Sequence, residues 1–132
     1  MSNTLYDLGR KAFLDADIDY LVDTIKVALV DTGTYTFSQA HQFYSSVSGV
    51  VGTPGTLATK TSTAGVADAD DITFTSVSGN SVEALVIYKD TGVAGTSPLI
   101  AYIDTATGLP VTPNGGDITI QWDSAASKIF KL

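Results

Sequence analysis

The most constraining feature of this chain is Ala84-Leu85-Val86-Ile87, the heart of a nearly unbroken apolar run over residues 82–88. Successive side chains of a strand point to opposite faces, so a strand with one wet face alternates apolar and polar residues. A run without alternation predicts a strand covered on both faces. Gly79-Asn80 before it and a loop at 90–97 carrying Gly92 and Gly95 mark its ends as turns.

Other strands follow from period-two patterns. Ile25, Val27 and Leu29 alternate within 24–31, and Ile72 and Phe74 point inward within 71–77. Across the Gly79-Asn80 turn, 71–77 and 82–88 are expected to form a hairpin. Residues 99–103, 117–122 (with Ile118, Ile120 and Trp122 on one face) and 128–132 supply further strands. Trp122, Phe74, Tyr88, Tyr102 and Phe130 belong to the expected core, with Trp122 against the strand of Leu85 and Ile87. A short amphipathic helix is expected over 4–14, where Leu5, Leu8, Ala12 and Phe13 share one face and Thr4 and Asp7 have capping-box spacing. A second is expected over 37–47, with Thr36 and Gln39 as its capping box and Ala40, Phe43, Tyr44 and Val47 on one face. Residues 48–65 are rich in Gly, Ser and Thr and read as irregular, with one short strand near 56–61 and the greatest freedom to contact a neighbour or move. The expected fold is mostly β: one domain over 1–132, an antiparallel β-sandwich or barrel with two short helices.

Charge narrows the function. The chain carries seven basic and fourteen acidic residues, a net charge of -7. Phosphate backbones and anionic membranes both demand clustered Lys and Arg, so neither nucleic acid nor a membrane surface is an expected partner. Every acid but Glu83 is Asp, a turn and cap residue, which places much of this charge in loops. Charged residues make up only 16% of the chain, against roughly 25% in ordinary soluble domains, which suits a surface partly hidden against neighbours. Cysteine is absent, which excludes disulfides and thiolate sites. The opening MSNTLYDLGRK lacks the pattern of a secretory signal, and no apolar run approaches a membrane span; synthesis in a cytoplasm is expected.

No constellation has the spacing that chemistry needs. Asp15, Asp17, Asp19 and Asp23 begin like a calcium loop, but Tyr20 stands where glycine is required and Lys26 where the bidentate Glu belongs. These acids are expected to cap a helix end and open a strand. Asp68, Asp70 and Asp71 are expected in a solvated turn. His41 is the one histidine, and without a G-x-S-x-G elbow it is expected to be structural. The glycines at 92–95 and 115–116 lack the Gly-Lys-Ser/Thr of a phosphate loop and read as turns. No catalytic, cofactor-binding or metal-binding residue is assigned, and the chain is not expected to be an enzyme. Tyr6, Tyr20, Tyr35, Phe37, Phe43 and Tyr44 are left as candidate interface anchors or sugar-stacking rings.

The stretches LYDLGRKAFLDADIDY, IKVALVDT, ADADDITFTSVSG, ALVIYKDTGVAGTSPLIAYIDTATGLPVTPNGGDITIQWD and KIFKL resemble a family of small virion proteins of tailed bacteriophages and prophages. The resemblance runs nearly end to end, strongest over 67–132 and weakest over 41–63. It implies a capsid cement (decoration) protein, bound to the outside of a shell of major capsid protein as a homotrimer. A tail or neck component and a carbohydrate-binding virion accessory are the alternatives.

Overall fold

The computed structural model describes residues 4–122 and 129–131. The strands are β1 (Thr4–Leu5), β2 (Ile25–Val30), β3 (Val50–Thr56), β4 (Thr61–Thr63), β5 (Val66–Asp68), β6 (Ile72–Phe74), β7 (Ala84–Lys89), β8 (Leu99–Ile103), β9 (Ile118–Ile120) and β10 (Phe130–Lys131). One α-helix, α1 (Asp7–Leu14), and two single 3₁₀ turns accompany them. The protein is mostly β and antiparallel, with sheet orders β1-β8-β7-β2-β3, β10-β5-β4 and β6-β9. It is sandwich-like, and the alternative of a closed barrel is corrected: the main sheet ends in open edges at β1 and β3.

The apolar run lies at the centre of the main sheet, as β7 between β2 and β8, with Leu85 opposite both Leu29 and Ile103. Both of its faces are covered. On one, Val27, Leu29, Leu85 and Ile87 share a core with Ile72, Phe74, Ile118, Ile120 and Trp122 of the small sheet region and with Ala12 of α1. On the other, Ala28, Val30, Ala84, Val86 and Tyr88 lie beneath Tyr6, Tyr35, Phe37 and Tyr44. Trp122 is buried as expected, and its indole N–H donates to the Asp70 carbonyl at 3.0 Å. Lys128 and Leu132 of the expected last strand lie outside the described residues.

Four expectations need correction. The first helix begins at Asp7, because Leu5 and Thr4 pair with Ala101 and Tyr102 as an edge strand; Tyr6 is the N-cap, without a side-chain bond. No α-helix forms over 37–47, only a single 3₁₀ turn at Tyr44–Ser46. Instead this segment lies across the second face of the main sheet, and its backbone bonds to the start of α1, to β8 and to the residue pair before β8: Asp7 N–H donates to Gln39 O, Leu99 N–H to Gln42 O and Tyr44 N–H to Ser97 O. Burying Phe37 and Tyr44 against that face outweighs a weak local helical pattern. The segment 48–65 holds two strands that flank the expected 56–61, β4 and the earlier β3, which pairs to β2 with a bulge between Val27 and Leu29. Finally, 71–77 and 82–88 form no hairpin. β6 pairs with β9 (Thr73 opposite Thr119), and the chain crosses between sheets near Val77, whose N–H donates to Gly116 O at 3.0 Å.

Candidate interaction face

The loops around the end of the main sheet where β2 begins and β7 finishes carry the exposed large aliphatic side chains found among the described residues. After α1 the chain reverses through Ala16, held at a φ of 63°, while Asp17 and Ile18 both donate backbone N–H bonds to Ala12 O. Ile18 and Tyr20 turn into the core. The Asp19 carboxylate accepts the N–H groups of Leu21 and Val22 at 3.2 and 3.3 Å, and Asp19 N–H donates to the Asp23 carboxylate at 2.8 Å. This tight knot leaves Leu21 and Val22 51% and 79% exposed, and Leu14, the last residue of α1, is 87% exposed. The β7–β8 loop adds Val93 at 60%, braced by the Gly92 N–H bond to the Asp90 carboxylate and by Ser97 Oγ donating to Val93 O.

The two loops are tied into one surface. Asp90 N–H donates to Thr24 O at 2.9 Å, and Lys89 Nζ reaches both the Asp23 carboxylate at 3.1 Å and the Asp17 carbonyl at 2.7 Å. Lys26 pairs with Asp90 at 3.3 Å, Arg10 with Asp7 at 3.5 Å and Lys11 with Asp15. Lys60 donates to the Asp23 carbonyl and lies over the Tyr20 ring. The bond from Asp19 N–H, with help from Lys89, holds the Asp23 carboxyl below its ordinary range despite partial burial. Asp90 is lowered likewise, first by the Gly92 N–H and then by Lys26. Arg10, Lys11, Lys26, Lys60 and Lys89 thus gather here, each beside an oxygen that accepts it. Asp31 and Glu83, at the far end of β2 and β7, bond instead to backbone N–H, hydroxyl and amide groups. The acidic charge of this face is therefore largely offset by its own cations.

Two clefts flank the α1–β2 connection. One, of about 380 Å³, is lined by Phe13, Ile18, Tyr20, Leu21, Ala67 and Phe130. The other, of about 480 Å³, is polar and bordered by Lys11, Asp15, Asp17, Lys89, Thr91 and Thr96. The first offers a socket of a size for one or two apolar side chains of a partner.

The residues singled out in the sequence have structural work. Asp15, Asp19 and Asp23 serve Lys11, two backbone N–H groups and Lys89 as described, and among the described residues no three His, Asp or Glu side chains converge as a metal site. Asp70 accepts from Thr59 Oγ1 at 2.7 Å, Asp71 accepts the Trp122 backbone N–H at 3.1 Å, and the Asp68 carbonyl accepts the Tyr20 hydroxyl. His41 Nδ1 lies 2.8 Å from the Tyr35 hydroxyl, which lies 2.9 Å from that of Tyr6. The rings left open as anchors are mostly spent internally. Tyr6, Tyr20 and Tyr35 are buried, Phe37 packs on Tyr6 and Tyr102, and Tyr44 stacks on Tyr88 at 4.0 Å. Sequence reasoning missed Leu14, Leu21, Val22 and Val93. The available signal was an apolar pair, Leu21-Val22, set among acids, with Val22 out of phase with the following strand.

Compared with known proteins, the chain matches no family model and no curated relative.

Proposed function

We propose that this protein is a structural component of a tailed-bacteriophage particle, a capsid cement protein that docks as a homotrimer on the outside of a shell of major capsid protein. The observation that carries this reading beyond the sequence resemblance is the braced face with Leu14, Leu21, Val22 and Val93 exposed. Exposed apolar side chains on a braced surface whose charges are largely paired favour contact with another protein. The net charge of -7 suits a role outside a shell filled with DNA, where contact with phosphate is not needed.

Four aliphatic side chains and a small cleft make a weak contact alone, short of the roughly 800 Å² per partner of a standard interface. A trimer presents three such faces at once, so the second and third contacts are intramolecular and binding tightens without new chemistry. Clamping neighbouring shell subunits in this way opposes outward pressure. The sugar-binding alternative is weakened by the internal packing of the rings it would use.

The test is binding to purified heads lacking the protein. Leu14→Ser combined with Val22→Ser removes apolar area where no core contact exists, so melting should stay within about 0.5 kcal/mol of wild type. Head binding, read by co-sedimentation, should fall sharply. A folded double variant that binds as well as wild type overturns the assignment of this face, and a wild-type protein that ignores heads overturns the cement reading.

A further inference from the structure

The exposed turn Pro113-Asn114-Gly115-Gly116 holds an asparagine in reach of its own backbone. The Asn114 side-chain oxygen accepts the Gly116 N–H at 2.9 Å, which folds the side chain forward over the Gly115 nitrogen. Gly115 has a φ of +87°, and the space where a Cβ would stand is empty to 4 Å, so no neighbouring group crowds the Cα of Gly115 on that side. What restrains it is one hydrogen bond: the Gly115 N–H donates to Val77 O at 2.7 Å. The return bond from Val77 N–H to Gly116 O, and that from Ser76 N–H to the Asp117 carboxylate at 3.1 Å, close the same junction.

We propose that Asn114 is a site of self-modification, converting spontaneously to aspartate and isoaspartate through attack by the Gly115 nitrogen, and that the bonds to Val77 hold this reaction back in the folded protein. The Gly115 nitrogen gives up its proton to solvent base and bonds to the Asn114 side-chain carbonyl carbon. The bond from that carbon to the side-chain nitrogen breaks, and ammonia leaves carrying a proton from solvent. Water then opens the five-membered imide at either carbonyl. Attack needs a deprotonated nitrogen, and an N–H committed to Val77 O is not available for it. The reaction therefore runs through local openings of this junction, and its rate follows the fraction of time that junction is open. The product carries one more negative charge. In its isoaspartate form it also inserts a methylene into the backbone, which moves Gly115 off its bond to Val77 and loosens the turn that leads into β9.

The protein is incubated in mildly alkaline buffer at physiological temperature, folded or unfolded in urea, then digested with trypsin. The fragment spanning residues 90–128 contains Asn114 as its one asparagine, so a gain of one mass unit reports the site. Conversion should be faster in the unfolded chain by about ten-fold or more, with isoaspartate among the products. Equal rates in the two states overturn the restraint by Val77, and no conversion in the unfolded chain overturns the site. Asn114→Gln, which would need a six-membered ring, should leave the fragment's mass unchanged. A gain of equal rate in that variant places the change at Gln121 and overturns the assignment.

Discussion

Tyr6, Tyr20 and Tyr88 carry hydroxyl groups that the fold holds protonated. Burial raises all three above the ordinary value of 10.0, reinforced for Tyr6 by its bond to Tyr35, for Tyr20 by Asp68 and for Tyr88 by Tyr44. A group whose folded pKa exceeds its unfolded one stabilises fully below the unfolded value, and that stabilisation fades as pH rises above about 10. Alkaline titration should therefore show tyrosinate absorbance and loss of near-ultraviolet circular dichroism rising together. Stepwise ionisation of all the tyrosines with the tertiary signal intact would contradict this packing. The sign reverses for Asp23 and Asp90, whose lowered values give stabilisation above about pH 4 that is lost as pH falls through the folded values. Trp122 tests the core more directly. Trp122→Ala empties a buried site and orphans the Asp70 carbonyl, so chemical denaturation should report a loss of about 3–5 kcal/mol. Melting like wild type would mean that Trp122 does not face the core.

At the scale of elements, α1 and β8 meet through a missing side chain. A Cβ on Gly9 would stand 2.4 Å from the Leu99 carbonyl oxygen, so glycine lets the helix lie directly on the strand. Helix propensity alone favours Gly9→Ala by roughly 1 kcal/mol. The close approach reverses the sign, and thermal melting should show net destabilisation of about 1–3 kcal/mol. A raised melting temperature would mean the helix is less tightly seated. Gly9 reads from sequence as a weak point in a helix, and the fold turns it into the point of contact. The same contrast runs through the chain. β7 was legible because nothing but cover on both faces explains Ala84 to Ile87. The segment that supplies the second cover, residues 31–49, was not, since Tyr35, Phe37 and Tyr44 lie on the sheet without any local period. The β6–β9 pairing joins residues 46 apart, as in the Thr73–Thr119 hydroxyl contact at 3.0 Å, and a neighbouring turn signal at Gly79-Asn80 pointed to the nearer partner. The candidate face was half legible. Its acids stood out as Asp15 to Asp23, but periodicity marks what a fold buries, and Leu14, Leu21 and Val22 are what it leaves outside.

Over the whole molecule, ion pairs and exposed aliphatic side chains share the same region. Around the β2–β7 end the cations are matched by Asp carboxylates and carbonyls, while Asp31 and Glu83 at the other end face no cation among the described residues' ion pairs. Copies that meet near the end where the acids are mostly offset keep Asp31 and Glu83 apart, which lowers repulsion within an assembly. Sedimentation should show a homotrimer, or a monomer that becomes trimeric on the shell. Isolated monomers in both settings would contradict the proposed clamp. The central claim is that binding adds strength to a shell that assembles without it. A ligand that binds only the mature shell stabilises it by an amount that grows with occupancy. The most direct measurement is the rupture of protein-depleted heads under heat or osmotic shock as purified protein is added back. The account predicts that resistance rises with added protein and saturates at a fixed number of copies per shell. Depleted heads as durable as complete ones, with defects confined to tail attachment or host adsorption, would contradict it.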